Sequence, residues 1–173
     1  MQKSVISNIF LFLLLVIGQV VVFNNLILFN SAVALVFLYF IISLPITTNI
    51  NAVTALSFLL GLSVDIFQDT PGLNAFCCTV LGFFRPFIFH LYVPHDEDFS
   101  GRRICINNIG LTAYLKYMLT FVVLYCLLYF IIESFNYSDI DRLLIRVLAS
   151  SAYTFIIIYA IDSLTVKRSE KRL

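Results

Sequence analysis

Apolar residues run through this chain in long unbroken stretches rather than in alternation, and short polar clusters near 24–25, 47–51, 68–72, 95–110 and 133–142 punctuate them. A membrane barrel would show ten-residue stretches of period two. Continuous runs point instead to helices, which satisfy their own backbone in lipid. A hydrocarbon core about 30 Å thick needs roughly 20 apolar residues per helix. The pattern predicts six spans, at about 5–23, 32–48, 52–66, 73–93, 111–132 and 143–166. The third is short, so it starts within the 49–51 turn or sits where the bilayer thins. No stretch is long enough to serve as an interdomain linker. The expected fold is therefore an all-α membrane protein, one compact bundle of six transmembrane helices over 1–173.

Composition agrees with that reading. The chain is 61% hydrophobic and 12% charged, with a mean hydropathy of +0.98, whereas soluble domains carry about a quarter charged residues. Lys3 is followed by sixty-one uncharged residues, up to Asp65. The bilayer is the expected environment, and nucleic acid is not an expected partner. The first run resembles a signal peptide, but Val21 to Asn25 offers no small-x-small cleavage site, so it is expected to stay as an anchor. Cys77, Cys78, Cys105 and Cys126 show no metal-ligand spacing and read as small apolar residues.

Charge sets the orientation. With six spans both termini share a side, and Lys3, Arg102, Arg103, Lys116, Lys167, Arg168, Lys171 and Arg172 fall on it. Only Arg142 and Arg146 fall opposite, and Arg85 lies inside a span. The positive-inside rule places both termini in the cytoplasm. The loop 94–110 is then a cytoplasmic connector or a docking surface, and 61–76 turns at the outer boundary.

Ionisable groups within spans need a partner, a route to the interface or a function. On a helical wheel Arg85 shares a face with Asn74, Cys78 and Gly82, and that face should point into the bundle. Asp162 approaches the same side of the membrane on the last helix. Two arrangements stay open: an Arg85–Asp162 ion pair, or separate access of each group to the interface. On the third helix Thr54, Ser57, Gly61 and Asp65 occupy one sector, suited to close helix packing.

The stretch from Gly61 to Phe76 breaks the uncharged run with Asp65, Asp69, Pro71 and Gly72. Thr70 can act as an N-cap with Pro71 at the first helical position. Gly72 gives the backbone freedom a reversal needs, and Asp69 lies near the positive end of the next helix. Asp65 and Asp69 need not share a face, because Pro71 biases Thr70 away from helix. Asp162 lies towards the opposite surface, which disfavours a paired-aspartate protease. His90 and His95 lie in no metalloprotease-like frame. No catalytic, cofactor or metal site is expected.

These residues carry a family resemblance. A lysine-led first helix and a Pro-capped second, then Gly61-Leu62-x-x-Asp65, Pro71-Gly72-Leu73 and Phe84-Arg85-Pro86-Phe87, resemble over essentially the full length the MreD family of bacterial rod-shape-determining membrane proteins. The resemblance implies a non-enzymatic subunit of the cell-elongation machinery in the bacterial cytoplasmic membrane. It would work beside an MreC-like bitopic protein, and indirectly with an MreB-like filament and the peptidoglycan transpeptidase and glycosyltransferase. It also implies a fold similar to the substrate-binding subunits of energy-coupling-factor transporters. Those subunits supply the alternative function, vitamin-type uptake, although 1–31 lacks the alanine they use for coupling.

Gly61, Asp65, Pro71 and Gly72 match the family pattern directly. With Asp69, Arg85 and Asp162 they form the expected partner-binding or structural set. Leucine at Gly61 should separate packed helices. If Asp65 meets a partner through its charge, asparagine there should spare folding and weaken that contact.

Overall fold

The computed structural model describes residues 2–23, 34–70, 72–93, 104, 109–133 and 140–170. Among them the chain is helical and contains no strand. Helix α1 (Gln2–Gly18) continues as a π-helical turn (Gln19–Phe23), followed by α2 (Leu38–Ser43), α3 (Ile50–Gln68), α4 (Leu73–His90), α5 (Leu111–Glu133) and α6 (Ile140–Glu170). Four helical stretches are long and apolar enough to cross a membrane: α3, α4, α5 and Leu143–Leu164 of α6. The apolar stretch Phe10–Val21, across α1 and its π-helical turn, is shorter. The chain is thus a helical, multi-pass type of membrane protein.

The last four expected spans coincide with α3 to α6 within a few residues. The second does not. Where 32–48 was expected to be helical, the described part forms turns at 36–37 and a regular helix of only six residues. The turn begins with i→i+3 bonds, from the amides of Leu38, Tyr39 and Phe40 to the carbonyls of Leu35, Val36 and Phe37. It ends because Leu44 precedes Pro45, which forces an extended backbone (φ −59°, ψ 146°). Apolar composition promised a span; Pro45 ends the helix early, and before Leu38 the described backbone is not regular helix.

Helix α3 starts on Asn49, whose side chain accepts from the Asn51 amide (3.1 Å), an N-cap bond. It stops at Asp69, a left-handed residue (φ 53°) whose amide bonds the Asp65 carbonyl. Left-handed Gly72 (φ 77°) then launches α4. The two helices pack closely enough that a Cβ on Gly61 would lie 2.5 Å from the Asn74 carbonyl oxygen and 2.6 Å from Ala75 Cα. A Cβ on Gly82 would meet Ser57 Oγ at 2.5 Å. Thr54, Ser57, Gly61 and Asp65 do form the α3 face turned to α4, and Asn74, Cys78, Gly82 and Arg85 are all buried.

The core gathers around α2 and its flanks, with 34–44 buried throughout. Tyr114, Tyr117, Met118, Phe121 and Tyr125 of α5 complete it. Phe37 meets Tyr125 edge-on, with ring centroids 5.8 Å apart, and Phe89 meets Tyr117 likewise at 5.6 Å, geometries that aromatic quadrupoles favour. Large apolar side chains such as Phe83, Phe84 and Phe87 on α4, Ile66 on α3 and Leu148 on α6 point outward, as lipid-facing surfaces require. Cys77, Cys78 and Cys126 are buried free thiols, and Cys105 lies outside the described residues.

Candidate functional site: a carboxylate clasp and a suspended helix

Two buried polar arrangements stand out from the apolar interior. The first is at the α3–α4 turn. Asp65 is 4% exposed, and its Oδ1 accepts from the Thr70 hydroxyl (2.5 Å), the Asn74 amide (3.0 Å) and Asn74 Nδ2 (2.9 Å). Its Oδ2 accepts from the Ala75 amide (2.8 Å). Asn74 Nδ2 also donates to Gln68 Oε1 (3.0 Å) and Thr70 Oγ1 (3.2 Å), and the Tyr125 hydroxyl of α5 donates to Asn74 Oδ1 (2.6 Å).

Asn74 and Ala75 are the second and third residues of α4, so Asp65 caps that helix from the end of the preceding one. Helix starts leave such amides unsatisfied, and the positive end of the macrodipole favours an anion there. This corrects one expectation. Thr70 does not cap α4, because Gly72 occupies the cap position and carries no side chain. Asp69 closes α3 with its backbone, its side chain is exposed, and the amides of α4 are bonded by Asp65 instead. A longer reach from Asp65 satisfies two amides at once, which neither residue achieves. Pro71 lies outside the described residues.

The second arrangement holds α2. On its amino-terminal side Gln19 donates through Nε2 to the Ala34 carbonyl (2.7 Å) and accepts through Oε1 from the Val36 amide (2.9 Å). The Thr154 hydroxyl of α6 accepts from the Leu35 amide (3.1 Å). On the carboxy-terminal side Arg85, 1% exposed, donates to the carbonyls of Leu44 and Pro45. Tyr39, the second residue of α2, donates its hydroxyl to Asp162 Oδ1 (3.0 Å). Buried main-chain groups need such partners, and the short helix cannot supply its own.

Arg85 and Asp162 therefore have α2 in common rather than each other as their described partner. Each is tied to a different part of that helix. Arg85 Nε and the Tyr117 hydroxyl are buried atoms with no hydrogen-bond partner.

Sequence reasoning found Asp65, Arg85 and Asp162 but missed Gln19, Tyr39, Tyr125 and Thr154. Gln19 carried a usable signal, as the one amide side chain within the apolar run 9–23. The others look like ordinary residues of a membrane helix until the fold brings them to a polar group.

Gln19 gives the first testable consequence. Gln19→Leu keeps the volume and leaves the Ala34 carbonyl and Val36 amide unpaired, so unfolding in detergent should become easier by about 1–3 kcal/mol. Gln19→Glu keeps an acceptor for Val36 but turns a second carboxylate oxygen towards the Ala34 carbonyl and buries a charge, so it should cost at least as much as leucine. Equal stability of Gln19→Leu and wild type would show that these bonds do not hold α2.

Beside the clasp opens a cavity of about 350 Å³ lined by Leu62, Asp65, Ile66, Asp69, Thr70 and Gly72. A second, apolar groove of about 320 Å³ runs between α4 and α5 along Leu81, Phe84, Ile88 and Leu124. Among the described residues no group of three or more histidine, cysteine or acidic side chains is placed to hold a metal. No protein-family model matches the chain, and no curated protein or solved structure does either.

Proposed function

We propose that this chain is a non-enzymatic scaffold subunit of the bacterial cell-elongation complex, an MreD-like protein that binds an MreC-like bitopic partner in the cytoplasmic membrane. Through that partner it would be linked to an MreB-like filament and to the peptidoglycan transpeptidase and glycosyltransferase. One observation carries the reading. Gly61, Asp65 and Gly72, the described turn positions on which the family resemblance rests, each meet a structural demand of the α3–α4 hairpin. A signature made of helix-joining residues suits a protein that works by presenting a shaped membrane surface.

Six crossings with both termini in the cytoplasm belong to the same proposal. α3 to α6 supply four, α1 and the segment containing α2 the remaining two, and the basic residues set the side. The bundle would then be similar to the substrate-binding subunits of energy-coupling-factor transporters.

A transporter reading draws on the interrupted α2, since broken helices at membrane depth often build substrate sites. Here the main-chain groups flanking α2 are engaged by Gln19, Thr154 and Arg85, which leaves them less to offer a substrate. The experiment is depletion in a rod-shaped host. Rounded cells, with a single-pass coiled-coil protein retained in mild-detergent pull-downs, are the expected result. Loss of vitamin uptake at unchanged shape would replace the scaffold with the transporter.

A further inference from the structure

The apolar groove between α4 and α5 has a polar head that neither the clasp nor the suspended helix uses. Val80, Leu81, Phe84 and Ile88 line it from α4, and Leu124 and Leu128 from α5. Each row continues at four-residue steps, the spacing of one ridge on a helix. Ile88 leads to Tyr92, and Leu128 leads through Leu124 and Thr120 to Lys116. Tyr92 and Thr120 meet where the rows converge, their hydroxyls sharing one hydrogen bond of 2.8 Å in which either can donate. One of the two O–H protons is left to donate elsewhere. One turn further on stands Lys116, exposed, with no carboxylate against it among the described residues. It is the sixth residue of a helix that can cross a membrane, and a helical side chain leans back towards the helix start, here towards the membrane surface. A cation so placed needs a counter-charge or a route to water.

We propose that this groove holds an acyl chain of a phospholipid whose headgroup carries a net negative charge, with the phosphate at Lys116 and the hydroxyl pair. Shape selects a chain. Every lining side chain is apolar, and about 320 Å³ takes a linear hydrocarbon lengthwise, but only the side-chain tips of a helix about 10 Å across. Length agrees: the twelve residues from Lys116 to Leu128 rise about 18 Å, close to one leaflet's half of a hydrocarbon core about 30 Å thick. Lys116 distinguishes headgroups by net charge. In phosphatidylcholine an ammonium on the same headgroup already answers the phosphate, whereas phosphatidylglycerol leaves its phosphate uncompensated and so draws a lysine more strongly.

The test is photocrosslinking of the full chain in vesicles of equal parts phosphatidylglycerol and phosphatidylcholine with identical acyl chains. Leu124 is replaced by its diazirine analogue, and the attached lipid is identified by mass spectrometry. Phosphatidylglycerol should exceed phosphatidylcholine by roughly fivefold, the effect of one lysine at an anionic headgroup. The same probe at Leu59, which faces outward on α3, should give a ratio near one. Lys116→Gln should bring the ratio at 124 towards one and leave the unfolding midpoint unchanged, since the side chain is exposed. Leu128→Trp, which fills the groove, should cut the lipid yield at 124 while sparing that at 59. Equal attachment of the two lipids at 124 would overturn the proposal. So would a preference that survives Lys116→Gln, or attachment at 124 to a polypeptide in place of lipid, which would assign the groove to a second copy of the chain.

Discussion

Gly61→Ala should be the most damaging single-methyl change in the described part of the protein. The added Cβ would lie 2.5 Å from the Asn74 carbonyl oxygen and 2.6 Å from Ala75 Cα. Both are main-chain atoms of α4, so no rotamer change makes room and the helices must separate. Overpacking costs about 1–3 kcal/mol where side chains can yield, and more where they cannot. Separation would also lengthen the bonds from Asp65 to Asn74 and Ala75, which depend on the same approach. A loss of at least about 3 kcal/mol in detergent unfolding is expected, with larger effects for leucine. Gly18→Ala is the matched control. Nothing lies within 4 Å of its Cβ position, and alanine favours helix over glycine by up to about 1 kcal/mol. Similar midpoints for the two variants would show that α3 and α4 do not pack as described.

Asp65→Asn should destabilise the fold, contrary to the sequence-based expectation that it would spare folding and touch only a partner contact. The carboxylate accepts four hydrogen bonds, two from main-chain amides of α4. An asparagine has one acceptor oxygen, and its amide nitrogen would face a donor in either orientation. At least one buried N–H loses its acceptor, and the charge that suits the helix start is gone. The expected cost is about 2–4 kcal/mol, read as a lower unfolding midpoint, with partner yield falling in parallel because less folded protein exists. A variant as stable as wild type that still loses its partner would restore the charge-contact role and remove the clasp as the reason for this residue.

Much of the transmembrane architecture was legible in the residues, because lipid demands long apolar runs and α3 to α6 have them. The same demand misled at α2. Apolar composition reports burial, and 34–44 is buried, but it does not report whether the backbone there is one helix or a short one between turns. Pro45 held the clue, since the residue before a proline leaves the helical region. Asp65 was found because a charge in an uncharged stretch is conspicuous. Its capping of α4 was not legible, because local capping rules look only a few residues back, whereas this carboxylate reaches nine and ten residues forward. Gln19, Thr154 and Tyr39 act across larger separations still, which no local pattern encodes.

The suspension of α2 bears on how the protein is made. Its flanks are bonded by Gln19, synthesised before it, by Arg85, some forty residues after it, and by Thr154, 119 residues beyond Leu35. A six-residue helix with polar ends open to hydrocarbon has no stable place until those partners arrive. The Leu35 amide and the Tyr39 hydroxyl therefore gain their described partners only once the last helix has been made. Truncation within α6 should consequently expose residues near the amino terminus to proteases that the full-length chain resists.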